Sequence, residues 1–117
     1  MTDKQLLELA AKAAGIDIEW ALQGRNGGPW ATKNGVSYAF WNPLTEDGDA
    51  LRLAVRLKME FHFEEQFQQE CIEVLHSFED NKHKAQCVLQ ELGVDPYAAT
   101  RRAIVCAAAE IGKTVTP

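Results

Sequence analysis

The spacing of apolar residues changes several times along the chain, and each change marks an element. Leu6, Leu9, Ala10 and Ala13 recur at helical spacing. Thr2 and Gln5 stand in the Thr-x-x-Gln relation in which each side chain satisfies the other's backbone N–H, and Gly15 suits the left-handed conformation that ends a helix. A first helix over about Asp3 to Ala14 is predicted. At Ile16 the period drops to two: Ile16, Ile18, Trp20 and Leu22 alternate with Asp17, Glu19, Ala21 and Gln23, as on a half-buried strand. The glycine-rich "QGRNGGPW" interrupts it. Trp30 to Thr32 and Val36 to Trp41 then read as two more strands, joined at Asn34-Gly35, because a two-residue hairpin turn needs positive φ at both positions. A three-stranded antiparallel meander follows.

Asn42-Pro43 ends the last of these strands, since proline donates no hydrogen bond and biases Asn42 away from helical angles. Thr45 or Asp47 is expected to cap a second helix, with Glu46 and Asp49 near its positive end. In that helix only Asp49, Arg52 and Arg56 form a polar stripe beside Leu51, Leu53, Ala54, Val55 and Leu57, so it is expected to be largely buried across a sheet. From Met59 the alternation returns, with Met59, Phe61 and Phe63 inward and Glu60, His62 and Glu64 outward. Beyond it, Phe63, Phe67, Cys71, Leu75 and Phe78 fit a helical stripe, whereas Cys71 to His76 and Lys84 to Leu89 fit strands around a Glu79-Asp80-Asn81 turn. The β-branched residues and the polar turn favour two strands.

The last element is a helix capped by Asp95, with Pro96 at its first position, Tyr97, Arg101, Ile104, Ala108 and Ile111 down one side, and Gly112 after its end. Its many alanines make it slim enough to lie close on the strands beside the second helix. Arg102 is expected to pair with Glu110 or Asp95, and Arg101 to extend along the sheet edge. The pattern as a whole predicts a single α+β domain over residues 1–117, an antiparallel sheet with about three α-helices packed on it in an α-β-α sandwich-like arrangement.

A length of 117 residues with 46% hydrophobic composition suffices for one core. The start, Met1-Thr2-Asp3-Lys4, lacks a basic leader region, and no apolar run approaches the roughly 20 residues of a membrane span. A cytoplasmic protein that engages no membrane is expected. Three cysteines, an odd number, point to reduced thiols rather than a disulfide framework. A net charge of −5 disfavours direct nucleic-acid binding, which depends on neutralising phosphates. The segment from Glu60 to Asp80 carries seven acidic residues and no Lys or Arg, so its natural complement is a basic partner.

Three blocks, "LLELAAKAAGI", "WNPLTEDGDALRLAVRL" and "DPYAATRRAIVCAAAEIGK", together about 47 of the 117 residues, resemble small proteins of tailed bacteriophages and prophages and are similar to the phage α-β-α sandwich domains. The stretch between Glu60 and Val94 departs from that pattern. The resemblance implies a phage origin, the cytoplasm of a host cell, a fold with antiparallel strands between two helices, and no catalytic residues to carry over.

No reactive constellation emerges. Asp47-Gly48-Asp49 lacks the alternating oxygen ligands of a calcium loop, His62, Cys71, His76, His83 and Cys87 lack zinc-ligand spacing, and the glycines near Arg25 do not form a phosphate loop. No metal, cofactor or catalytic residue is therefore expected. The first functional reading is a nonenzymatic accessory protein that binds a host protein, as an acidic inhibitor of a defence or nucleic-acid-handling factor. Arg25, Trp30, Glu60, Glu64 and Glu73 are its candidate contact residues. The alternative is a protein that binds or sequesters a small nucleotide-like ligand, with Tyr38 and Trp41 stacking and Arg101 supplying charge. An exposed strand edge in a small sheet is compatible with a symmetric homodimer.

Overall fold

A computed structural model of the chain describes residues 1–20, 28–66, 69–76 and 86–115, with the side chains at positions 64, 66, 69, 76 and 86–90 outside that description. The predicted turn at 79–81 and the contact residue Arg25 therefore lie outside the described residues.

Helix α1 spans Asp3–Ala14, with the reciprocal Thr2–Gln5 capping box and Gly15 in the left-handed conformation at φ 72°. Strands β1 (Asp17–Glu19), β2 (Trp30–Lys33) and β3 (Val36–Phe40) form an antiparallel sheet in that order. Asn34 and Gly35 turn the hairpin at φ 54° and 81°. Ala31 pairs with Ala39 but Thr32 pairs with Ser37, which leaves Tyr38 as the extra residue of a bulge in β3.

Helix α2 spans Asp47–Arg56. Its start differs from expectation. The N-cap is Glu46, with no side-chain cap bond, and Thr45 Oγ1 donates instead to the carbonyl of Asn42. Asp49 closes this end from within the helix: its Oδ2 accepts the Asn42 backbone N–H at 2.9 Å and its Oδ1 accepts from Arg52 at 2.7 Å. The burial differs too. Ala50, Leu53 and Ala54 are in the core, but Leu51 and Val55 are 61% and 68% exposed, because among the described residues only one side of α2 is covered.

Strands β4 (Glu60–Gln66), β5 (Gln69–His76) and β6 (Gln86–Glu91) make a second antiparallel sheet in that order. The strand reading of this region holds, but the described residues form two three-stranded sheets rather than one. Helix α3 (Pro96–Gly112), capped by Asp95 through the Ala98 N–H at 3.0 Å, packs against α1, α2, β5 and β6. Its neighbours are thus helices as well as strands. The alanines permit this: Ala103, Ala107, Ala108 and Ala109 are fully buried. Gly112 is the last helical residue rather than a stop signal. One core joins Leu6, Leu7 and Ala10 of α1, Ala31 of β2, Leu53 of α2, Ile72 and Val74 of β5, and Val105 of α3. The result is an α+β domain, with three helices and two small antiparallel sheets among the described residues.

Ion pairs tie α3 to the other two helices. Arg102 reaches Asp3 of α1 at 3.1 Å, while Glu110 pairs with Lys113, so neither expected partner of Arg102 is used. Arg101 does not follow a sheet edge. Its Nε donates to the Leu44 carbonyl at 2.8 Å and its Nη1 to Asp47 at 2.6 Å, which fastens α3 to the start of α2.

Candidate functional site

The register of the second sheet decides what lies on each of its faces. Phe61 pairs with Val74, Phe63 with Ile72 and Glu65 with Glu70, and paired residues share a face. Ile72 and Val74 are fully buried beneath α3. Phe61 and Phe63 face the same side, yet they are 37% and 66% exposed. The inward direction was legible from the alternation, but no described helix covers this edge strand.

Between α2, β4 and α3 these rings wall a cavity of about 290 Å³, with Leu51, Tyr97 and Ile104 as its other apolar walls and Asp47 and Arg101 at its polar margin. Phe63 also lines an adjoining pocket with Glu65, Glu70 and Leu92, and Glu70 and Leu92 in turn line a third with Glu91. An apolar groove therefore runs from Tyr97 past Phe63 into an acidic end. Glu65 and Glu70 stand directly opposite each other, an arrangement that destabilises a sheet when both are charged. Neither forms an ion pair with a described residue. The three strands carry six glutamates and no Lys or Arg.

The candidate contact residues distribute differently. Glu60 and Glu73 lie on the opposite face from Phe61 and Phe63, where Glu60 sits 3.7 Å from the exposed His62 imidazole. Glu64 is in β4 with its side chain outside the described residues. Trp30 is on the other sheet, edge-to-face with Phe40 at 5.5 Å. Glu65, Glu70 and Tyr97 were missed. The signal for Glu65 was present in the sequence, since the alternation that points Phe61 and Phe63 one way carries Glu65 with them.

The alternative ligand set does not converge. Tyr38 and Trp41 line a larger cleft of about 780 Å³ between β3 and α2, where Trp41 is buried and Tyr38 is 66% exposed. Arg101 lines the groove on the other side of α2 and is held by Leu44 and Asp47.

Among the described residues no three His, Cys, Asp or Glu side chains gather as a metal site would require. No described helix is long and apolar enough to cross a membrane. Cys71 is buried. Desolvation pushes the half-buried Cys106 thiol above its ordinary pKa, opposed by Arg102 and reinforced by Glu110 and Asp3. This is the reverse of the electropositive setting that makes a thiolate nucleophile.

No family model matches the chain, and no significant match to it is found among curated proteins or solved structures.

Proposed function

We propose that the chain is a nonenzymatic accessory protein of phage origin that works by binding a basic, apolar-anchored surface on a host protein. The observation that carries this reading is the groove along α2, β4 and α3, whose aromatic walls end at the Glu65–Glu70 pair, which forms no ion pair with a described residue. Apolar patches of this kind on a monomer mark interaction sites. An apolar anchor next to desolvatable charge gives both affinity and orientation. Basic surfaces are the hallmark of nucleic-acid-handling proteins, so inhibition of such a protein, or of a defence factor built like one, is the function this chemistry fits. The phage origin rests on the resemblance of the three sequence blocks.

The test is capture from bacterial host lysate at low and high salt, with the wild type, Phe63→Ser and Glu65→Lys/Glu70→Lys as parallel baits. A partner retained by the wild type, weakened by salt and lost with both variants supports the reading. Equal capture by all three removes it.

A further inference from the structure

The hydrogen-bonding direction of β4 adds a feature to the groove that its side chains alone do not show. The Leu92 N–H donates to the Glu70 carbonyl at 2.9 Å, and an antiparallel ladder alternates bonded with non-bonded pairs. Glu70, Ile72 and Val74 therefore turn their backbone groups toward β6, and Cys71, Glu73 and Leu75 turn theirs toward β4. Through the unbroken register those three bond Glu64, His62 and Glu60. The backbone N–H and C=O groups of Phe61, Phe63 and Glu65 are left pointing outward, on an edge strand that pairs with no other described strand on that side. The side chains of the same three residues face the groove. We propose that the occupant of the groove is an extended segment of the partner protein, added antiparallel to the edge of β4, with a Lys or Arg opposite Glu65 followed at alternate positions by apolar residues opposite Phe63 and Phe61.

This inference rests on the reading of the groove as a binding site and specifies how that site is used. Strand addition joins main-chain hydrogen bonds to side-chain pockets that recur at every second residue. Both are present here in the same register. A residue bonded across from Phe63 or Phe61 shares their face, so its side chain is directed at the cavity walled by Leu51, Tyr97 and Ile104. An antiparallel direction continues the pattern of β4, β5 and β6.

Charge complementarity fixes the chemistry of the segment. Glu65 already stands opposite Glu70 on its β5 side, and like charges directly opposite destabilise a sheet. A cation on the outer side of Glu65 offsets that repulsion. A second copy pairing through its own β4 would bring Glu60, Glu64 and Glu65 with no Lys or Arg, which adds to the repulsion instead. Order follows from direction. Phe61 and Phe63 precede Glu65 along β4, so an antiparallel segment presents its cation first and its apolar residues two and four positions later.

The experiment titrates the full chain against a terminally blocked, dye-labelled peptide, threonine-lysine-threonine-valine-threonine-leucine-threonine, followed by fluorescence anisotropy. In the proposed register the N–H groups of the lysine, valine and leucine point at β4 and those of the threonines point away. N-methylation of the valine and leucine should weaken binding at least about tenfold, since two main-chain bonds are lost. N-methylation of the third and fifth residues, which removes no bond to β4, should leave binding within about twofold. The Phe63→Ser and Glu65→Lys/Glu70→Lys chains should each bind the unmodified peptide at least about tenfold more weakly. Equal binding of the two methylated peptides overturns strand addition, and so does tighter binding of a helix-stapled peptide carrying the same lysine, valine and leucine. The groove reading survives both results as long as the chain variants lose binding. Absence of binding by every peptide overturns the proposed segment, and capture from lysate then tests the groove separately. A wild-type chain that runs at twice its 13.0 kDa mass and falls to the single mass in Phe63→Ser assigns the edge to a second copy and likewise overturns the proposal.

Discussion

Gly112 of α3 lies so close to Leu9 of α1 that a Cβ at position 112 would sit 2.7 Å from the Leu9 carbonyl carbon and overlap its oxygen. The two helices approach until only a hydrogen fits between them. Gly112→Ala would ordinarily strengthen a helix by about 1 kcal/mol. Here it should instead lower stability by roughly 1–3 kcal/mol, because neither backbone can give way without separating α1 from α3. Thermal unfolding checks the sign, and a raised midpoint would mean that the helices are further apart.

Asp47 and Asp49 are two residues apart in one helical turn, but their substitutions should differ. Asp49 is buried and accepts from the Asn42 backbone and Arg52. Asp49→Ala leaves the part-buried Asn42 N–H without this partner and should cost about 1–3 kcal/mol. Asp47 pairs with Arg101 from a side chain that is 76% exposed. Asp47→Asn should cost well under about 1 kcal/mol, as exposed ion pairs do. Parallel urea titrations compare the two.

Leu53 and Val55 make a second contrast within α2. Leu53→Ala, at 2% exposure, should destabilise the fold by about 2–5 kcal/mol through the cavity it leaves. Val55→Asp, at 68% exposure, should leave the stability of the protomer within about 0.5 kcal/mol. Denaturant unfolding of both variants beside the wild type separates the two effects.

These contrasts show where sequence reasoning reached and where it stopped. Caps and turns were legible because they are local: Thr2 with Gln5, Asn34-Gly35 and Asp95-Pro96 each specify their own geometry. The faces of strands were legible through alternation, which is why Phe61 and Phe63 point toward the helical side as expected. Coverage was not legible. Whether an element lies over Phe63, or over Leu51 and Val55, depends on where distant elements stop. Gly112 was misread for a related reason, since a glycine near a helix end signals termination locally, and only the position of Leu9 reveals the close packing it serves. At the candidate site, the acidic character of the segment was visible, but the register that separates Glu65 and Glu70 from Glu60 and Glu73 was not used.

Cys106 gives a pH signature. Its thiol pKa is raised in the fold, chiefly by desolvation, so the folded state favours the neutral thiol. The sign follows from linkage: this contribution is fully present below the ordinary thiol pKa and is lost as pH rises through the higher folded value. Cys106→Ala should therefore flatten the alkaline limb of the stability curve relative to wild type. The native thiol should also react with Ellman's reagent more slowly than an unfolded control near neutral pH. Equal rates would contradict the burial of this group.

The binding account rests on Phe63, and cross-linking from that position tests it most directly. A photo-reactive benzoylphenylalanine placed at position 63, and separately at the exposed Lys12 on α1, is irradiated in bacterial cytoplasm. The account predicts one discrete conjugate from position 63, none from position 12, and loss of the conjugate when Glu65 and Glu70 are both changed to lysine. Absence of any conjugate at 63, or an equal yield at 12, would contradict it.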